Sequence, residues 1–159
     1  MAQMTEETTT DRMEKEILLN APRERVWRAL SDKTEFGTWF RMKFGPGTFT
    51  AGETVSAQIL HPGYEHVVFD IIVVDVDPMS RFSYRWHPFA MDANVDYSAE
   101  PRTLIEFTLS DAPGGTLLRV VESGFDSIPQ HRRAEAFRMN GRGWTGQLKN
   151  IERHVTESE

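Results

Sequence analysis

The last stretch of the chain constrains the fold more than any other. From Pro129 to His154 it reads PQHRRAEAFRMNGRGWTGQLKNIERH, and Phe137, Gly141, Trp144, Leu148, Ile151 and Val155 recur at steps of three and four residues. That spacing draws one stripe along a helix. The opposite face carries Arg132, Glu135, Arg138, Arg142, Lys149 and Glu152, as in a helix with one side in water. A helix of this length crosses a whole small domain. Its stripe is stable only against an apolar receiver, which the preceding segments have to supply.

Those segments read mainly as strands. Met13 to Leu19 places Met13, Ile17 and Leu19 on alternate positions, with Lys15 breaking the pattern. Asn20-Ala21-Pro22 starts a helix, because proline in a first turn loses no hydrogen bond. Val26, Trp27 and Leu30 give that helix an apolar face, and Ser31 to Phe40 predicts a second short helix. Strands follow over Thr54 to Leu60, Tyr64 to Val76, Arg81 to His87, Thr103 to Leu109 and Leu117 to Glu122. Their punctuation comes from His61-Pro62-Gly63, Asp77-Pro78, the polar loop 88–101 and Pro113-Gly114-Gly115. Phe82, Tyr84 and Trp86 share one strand face, and Ile105, Phe107 and Leu109 share another. One strand, two short helices, an antiparallel meander and one long helix make an α+β domain. Residues 1–12, with Thr8, Thr9 and Thr10 in a row, read as a flexible arm before a single domain over 13–155.

Composition narrows the function. At 159 residues the chain can build one core without staples, and with no cysteine it has neither disulfides nor thiolate chemistry. The net charge of −6 is spread along the chain, which argues against nucleic acid as the main partner. No run approaches the roughly 18 apolar residues of a membrane span, and the polar, acidic start MAQMTEETTTDR has no signal-peptide core. A cytoplasmic address is the natural expectation. No cofactor motif is present: Gly141, Gly143 and Gly146 lie inside a helix pattern rather than after a strand, so they are no phosphate loop. Close packing, or room for a ligand, accounts better for three helical glycines.

A curved sheet wrapped on a helix leaves concave apolar space, where small ligands bind. Eight aromatics are candidates to line it: Trp39, Phe40, Tyr64, Tyr84, Trp86, Phe107, Phe137 and Trp144. Core packing would use the same residues. Glu122 is the most informative polar position. If Leu118 and Val120 face the cavity, so does Glu122, where it would bind or protonate a ligand. The alternative is a strand-end carboxylate bonded to backbone near Gly124. His66 and Asp70 would share a strand face as an oriented base, although four residues of extended chain hold them too far apart to touch. His61, His66 and His87 are the only candidate metal group. Two of them sit at turns, so no metal site is expected.

Several segments also resemble a known family. Ala21-Pro22-Arg23-Glu24-Arg25-Val26-Trp27, with Trp39-Phe40 behind it, is similar to the opening of the START-like (SRPBCC) superfamily. Phe82 to Pro88, Gly114-Gly115-Thr116, Val121 to Phe125, Asn140, Gly143-Trp144 and Gln147-Leu148 resemble its bacterial branch named for the activator of the heat-shock protein ninety ATPase. The resemblance spans Met13 to Val155. It implies a helix-grip fold: a curved antiparallel sheet of about six strands around the C-terminal helix, with a cavity between. It also implies a range of roles, from lipid or polyphenol binding to polyketide cyclisation and co-chaperone activity. The eukaryotic activator carries an additional N-terminal chaperone-binding domain, and twelve residues leave no room for one, so a chaperone partner is not expected to carry over. Three readings follow. The first is a binder of a small hydrophobic molecule, oriented by Glu122, Tyr84 and His66. The second is a cavity enzyme of cyclase or hydrolase type using Glu122 or His66 as acid or base. The third is a chaperone- or stress-related interaction module. An exposed apolar sheet edge would also support a homodimer.

Overall fold

Alternation along each strand decides which side chains turn inward, and it is kept strictly in the second half of the chain. The computed structural model describes residues 10–60, 62–92 and 94–157. In it β6 (Thr103–Ala112) buries Thr103, Ile105, Phe107 and Leu109, while β7 (Gly115–Ser123) buries Thr116, Leu118, Val120 and Glu122. The other elements are β1 (Arg12–Leu19), α1 (Arg23–Ser31), α2 (Lys33–Phe40), β2 (Met42–Lys43), β3 (Thr54–Ile59), β4 (Val68–Asp77), β5 (Arg81–Trp86), a 3-10 turn at Phe125–Ser127 and α3 (Gln130–Glu157). The strands form one antiparallel sheet in the order β1-β7-β6-β5-β4-β3-β2. Helix α3 lies against it and packs on β1, α1 and α2.

Two local devices shape the sheet. A register shift between Val73 and Asp75 inserts an extra residue into β4 opposite β5, and such bulges bend a strand and increase its twist. The Asp75 N–H at the bulge donates to the Ser83 hydroxyl at 3.2 Å, which is why Ser83 is buried on a strand position expected to face water. At the other end Gly37 lets the carbonyl of Met42 press against α2, where any Cβ would collide with it. That contact seats β2, which is two residues long and beyond the reach of periodicity.

Helix α2 begins at Asp32, whose carboxylate accepts from the Glu35 N–H at 2.9 Å. Its Phe36 sits at the centre of an aromatic core. Its ring centroid is 4.8 Å from those of Trp39 and Phe40, and 5.9, 6.4 and 6.1 Å from Phe82, Tyr84 and Phe107. A smaller cluster of Phe125, Ile128 and Ala136 closes the connection from β7 to α3, with Phe137 against Phe125 at 5.0 Å.

Three expectations need correction. Tyr64 to Val67 is turn rather than strand, closed by the Val67 N–H donating to the Tyr64 carbonyl at 3.0 Å, so Tyr64 and His66 lie outside β4. Thr10 to Arg12 are not part of a free arm. Thr10 donates to Asp126 at 2.7 Å, the Asp11 carbonyl accepts from the Gly124 and Phe125 N–H groups, and Arg12 opens β1. Residues 1–9 of that arm, and His61, lie outside the described residues. Finally, the buried stripe of α3 is Ala136, Trp144, Leu148, Ile151 and Val155, with the small Ala136 taking the place foreseen for Phe137.

The three helices are tied together by one carboxylate. Glu35 of α2 accepts from Arg25 and Arg28 of α1, both at 2.7 Å, and lies 2.9 Å from Nε2 of His154 on α3. Burial pulls the Glu35 carboxyl up, but the hydrogen bonds from His154, Arg25 and Arg28 outweigh it and hold the group below its ordinary value. The hydrogen bond from Lys33 does the same to Glu53. A carboxyl depressed on folding stabilises the fold above its unfolded value, and that contribution is lost as pH falls through the folded one. The contribution of these two carboxyls should therefore be constant from neutrality down to pH about 5 and be lost below pH about 4.5. Glu35→Gln should lower the neutral-pH melting temperature and make the acid limb shallower, as read by circular dichroism.

Candidate ligand-binding cavity

The period of β7 turns Glu122 inward, and four neighbours supply hydrogen-bond donors to meet it. Its carboxylate is wholly buried. One oxygen accepts from Trp144 Nε1 at 2.7 Å and Asn140 Nδ2 at 3.0 Å; the other accepts from Thr103 Oγ1 at 2.6 Å, Trp86 Nε1 at 2.9 Å and Asn140 Nδ2 at 3.1 Å. The partners come from β5, β6 and α3. All are donors, which suits an ionised carboxylate, an acceptor-only group with about four lone-pair positions. Those positions are filled. Burial without a countercharge is costly, and hydrogen bonds of this kind are what offset it. Above the carboxylate, Tyr84 is fully buried and its hydroxyl has no hydrogen-bond partner in the structure. Burial pushes the Tyr84 phenol well above its ordinary value, and the charge of Glu122 adds to the effect.

The two tryptophans that Glu122 holds are walls of a cavity of about 570 Å³. Phe40, from the end of α2, completes a triangle with them: ring centroids are 5.9 Å from Phe40 to Trp86, 5.8 Å from Phe40 to Trp144 and 6.0 Å from Trp86 to Trp144. Met42, Ile59 and Phe69 extend the apolar lining along β2, β3 and β4, and Phe89 and Met91 close it from the loop after β5. Helix α3 contributes a flank of Met139, Asn140, Gly143, Gly146, Gln147 and Asn150. Gly143 and Gly146 are exposed, and a Cβ at either would meet nothing within 4 Å, so close packing does not call for glycine at these two positions. Gln147 is oriented by donating to the Phe40 carbonyl at 3.0 Å. The volume falls within the range of small-molecule sites, roughly 300–1,000 Å³.

Of the ten residues singled out in the sequence, Phe40, Trp86 and Trp144 line this cavity, and Glu122 lies directly behind the two tryptophans. The other six are elsewhere. Trp39 turns its Nε1 to the Ala29 carbonyl at 2.9 Å and packs between α1 and α2. Phe107 and Tyr84 are fully buried in the aromatic core around Phe36. Phe137 covers Phe125 in the smaller cluster. Tyr64 is exposed in its turn, and His66 is exposed beside a separate polar depression that it shares with Asp70, His87 and Arg102. Asp70 is engaged there by Ser56, which donates to it at 2.8 Å. The residues not anticipated as lining are chiefly Met42, Phe69, Met91 and the polar flank of α3. The available signal was Gly143, which lies three residues from Asn140 and four from Gln147.

A curved antiparallel sheet closed by a long C-terminal helix, with an apolar cavity between them, is the architecture of START-like helix-grip proteins. The sequence profile of activator of Hsp90 ATPase homolog 1-like proteins matches residues 20–156, and the chain belongs to that family. Among solved structures, a protein of Mesorhizobium loti is 27% identical over 93% of this chain and 98% of its own, with a TM-score of 0.72. A Chromobacterium violaceum protein is 21% identical over 92% and 98%, with a TM-score of 0.70. The Aha1 dimer of Colwellia psychrerythraea is 17% identical over 91% and 95%, with a TM-score of 0.67. The last two likenesses speak to fold alone. No curated protein matches the chain. Among the described residues, no helix is long and apolar enough to cross a membrane.

Glu122→Gln replaces one acceptor oxygen by a donor and leaves buried N–H or O–H groups facing it. It should cost roughly 2–3 kcal/mol, a fall in melting temperature of about 5–10 °C for a chain of this size. Near-UV circular dichroism should change as Trp86 and Trp144 lose their anchor. Tyr84→Phe removes only an unpartnered hydroxyl, so its stability should match or exceed that of the natural protein.

Proposed function

We propose that this protein binds a small hydrophobic molecule, lipid-like or flat and aromatic, in the cavity between the sheet and α3. The observation that carries this reading is the apolar cavity itself, walled by Phe40, Trp86 and Trp144 and bordered on α3 by Gly143 and Gly146. Glycine costs about 1 kcal/mol relative to alanine inside a helix. Packing gives no rationale for two such residues on the exposed flank of α3 that borders the cavity, and room for a ligand would supply one. The apolar walls supply affinity, and the ring triangle suits either an acyl chain or a planar ring.

Catalysis by Glu122 is less well supported, because its lone pairs are taken by four donors and a proton transfer would first have to break one of those bonds. His66 lies outside the cavity and offers no base to a molecule held there. The family's name refers to an ATPase activator, and the Colwellia protein is a dimer. Neither property accounts for the cavity, which is built by this chain's own residues.

Neutral probes test the reading directly. Dodecanol and naphthalene, titrated while tryptophan fluorescence and melting temperature are followed, should quench or shift Trp86 and Trp144. A binder present at a hundred times its dissociation constant should stabilise the fold by about 2.7 kcal/mol. Gly143→Leu should keep or raise the melting temperature while weakening binding at least about tenfold, since it fills the cavity without a clash. Absence of both fluorescence change and stabilisation with every neutral and acidic apolar probe would overturn the proposal.

A further inference from the structure

Besides apolar groups and the amides of α3, two charged side chains line the cavity; both are arginines, and both are exposed. Arg41 follows α2 and Arg142 projects from α3. No aspartate or glutamate lines the same space, in a chain with 24 acidic residues against 18 basic ones. Among the described residues, neither guanidinium has a hydrogen-bonded or ion-pair partner. Several other arginines are engaged by carboxylates, Arg23 by Asp111, Arg81 by Asp75, Arg119 by Glu14 and Arg132 by Glu100, while Arg102 and Arg133 donate to backbone carbonyls.

Arg41 carries a second, independent mark. It caps α2 in the left-handed conformation, with φ 67° and ψ 41°. Glycine or asparagine fills that position without strain, whereas an arginine there is held at an energetic cost. Strain retained at the rim of a cavity points to the side chain as its reason. A guanidinium presents a planar fork of donors that matches a carboxylate or phosphate, and it does so best beside an apolar wall that excludes water.

We infer that the molecule held in this cavity is an anionic amphiphile: an apolar body lies against Phe40, Trp86 and Trp144, and a negatively charged head group is received by Arg41 and Arg142. This inference rests on the proposed binding function and adds the head-group charge to it. The lining supplies no countercharge for a cationic head. A wholly neutral ligand would gain nothing from the two guanidinium groups, which are exposed and would stay solvated.

Matched pairs that differ only in charge test it. Dodecanoate against dodecanol, and 2-naphthoate against 2-naphthol, are titrated into the natural protein near pH 7.5 while tryptophan fluorescence is read. In whichever pair binds, the acid should bind about tenfold or more tightly than its neutral partner, as a charge-assisted contact implies. Added salt should narrow that gap by screening. Arg41→Gly relieves the strained backbone, so it should hold or raise the melting temperature. Combined with Arg142→Gln, it should bring the acid down to the affinity of the neutral partner and leave the neutral affinity unchanged. Equal binding of acid and neutral partner by the natural protein, or an acid preference that survives in the double variant, would overturn the inference and leave the hydrophobic-cavity reading standing. Binding of no member of either pair would overturn both.

Discussion

The structure turns on Glu122, which among the described residues is the one wholly buried carboxylate and has no cation against it. Glu122 gathers Trp86 from β5, Thr103 from β6 and Asn140 and Trp144 from α3, so one side chain of β7 fastens three further elements. The sheet alone would leave α3 free to slide, because apolar contacts are non-directional. Hydrogen bonds to a fixed acceptor are not. They set the position of α3 along the sheet and the planes of two indole rings together. The cavity wall is thus a by-product of how the charge is satisfied.

That anchoring divides the interior into a filled end and a hollow one. Around Phe36, rings from α2, β5 and β6 meet edge to face and leave no room for a guest. Past Phe40 and Trp144 the lining changes to methionines, glycines and short amides, and the space opens. Helix α3 serves both ends. Its Leu148, Ile151 and Val155 are buried, while the adjacent flank from Met139 to Asn150 stands over the cavity. The Glu35 cluster with Arg25, Arg28 and His154 holds the far end of the same helix to α1 and α2. Helix α3 is therefore fixed by charge on both sides of the cavity it covers.

The chemistry open to such a site follows from which polar groups remain available. Glu122 is saturated, and what it contributes to the cavity is the position of the two tryptophans it holds. Tyr84 has an unused hydroxyl but is sealed in the core. The polar groups left facing the cavity are guanidinium and amide groups, which recognise and orient better than they transfer protons. Such a lining, with apolar walls and a few polar groups, is compatible with binding a small ligand.

The sequence by itself determined the order and kind of elements, because helical and strand periods are written residue by residue. The stripe of Trp144, Leu148, Ile151 and Val155, the inward set of β6 and the inward turn of Glu122 were all legible in this way. The resemblance to the START-like branch was legible too, since it rests on local motifs. Periodicity reports a face and not a depth, however. Tyr84 and Trp86 share a strand face, yet one is sealed beneath the Phe36 core and the other lines the cavity. Trp39 and Phe40 are adjacent, but only one of them reaches the cavity. Periodicity assigns Asn140 and Gln147 no partner; Glu122 and the Phe40 carbonyl come across to them from elements far away in sequence. Which donors meet Glu122, where the interior is hollow and which arginines lack a partner are properties of distance between segments. Only the tertiary structure sets those distances, because they arise when the sheet curves and α3 is drawn down upon it.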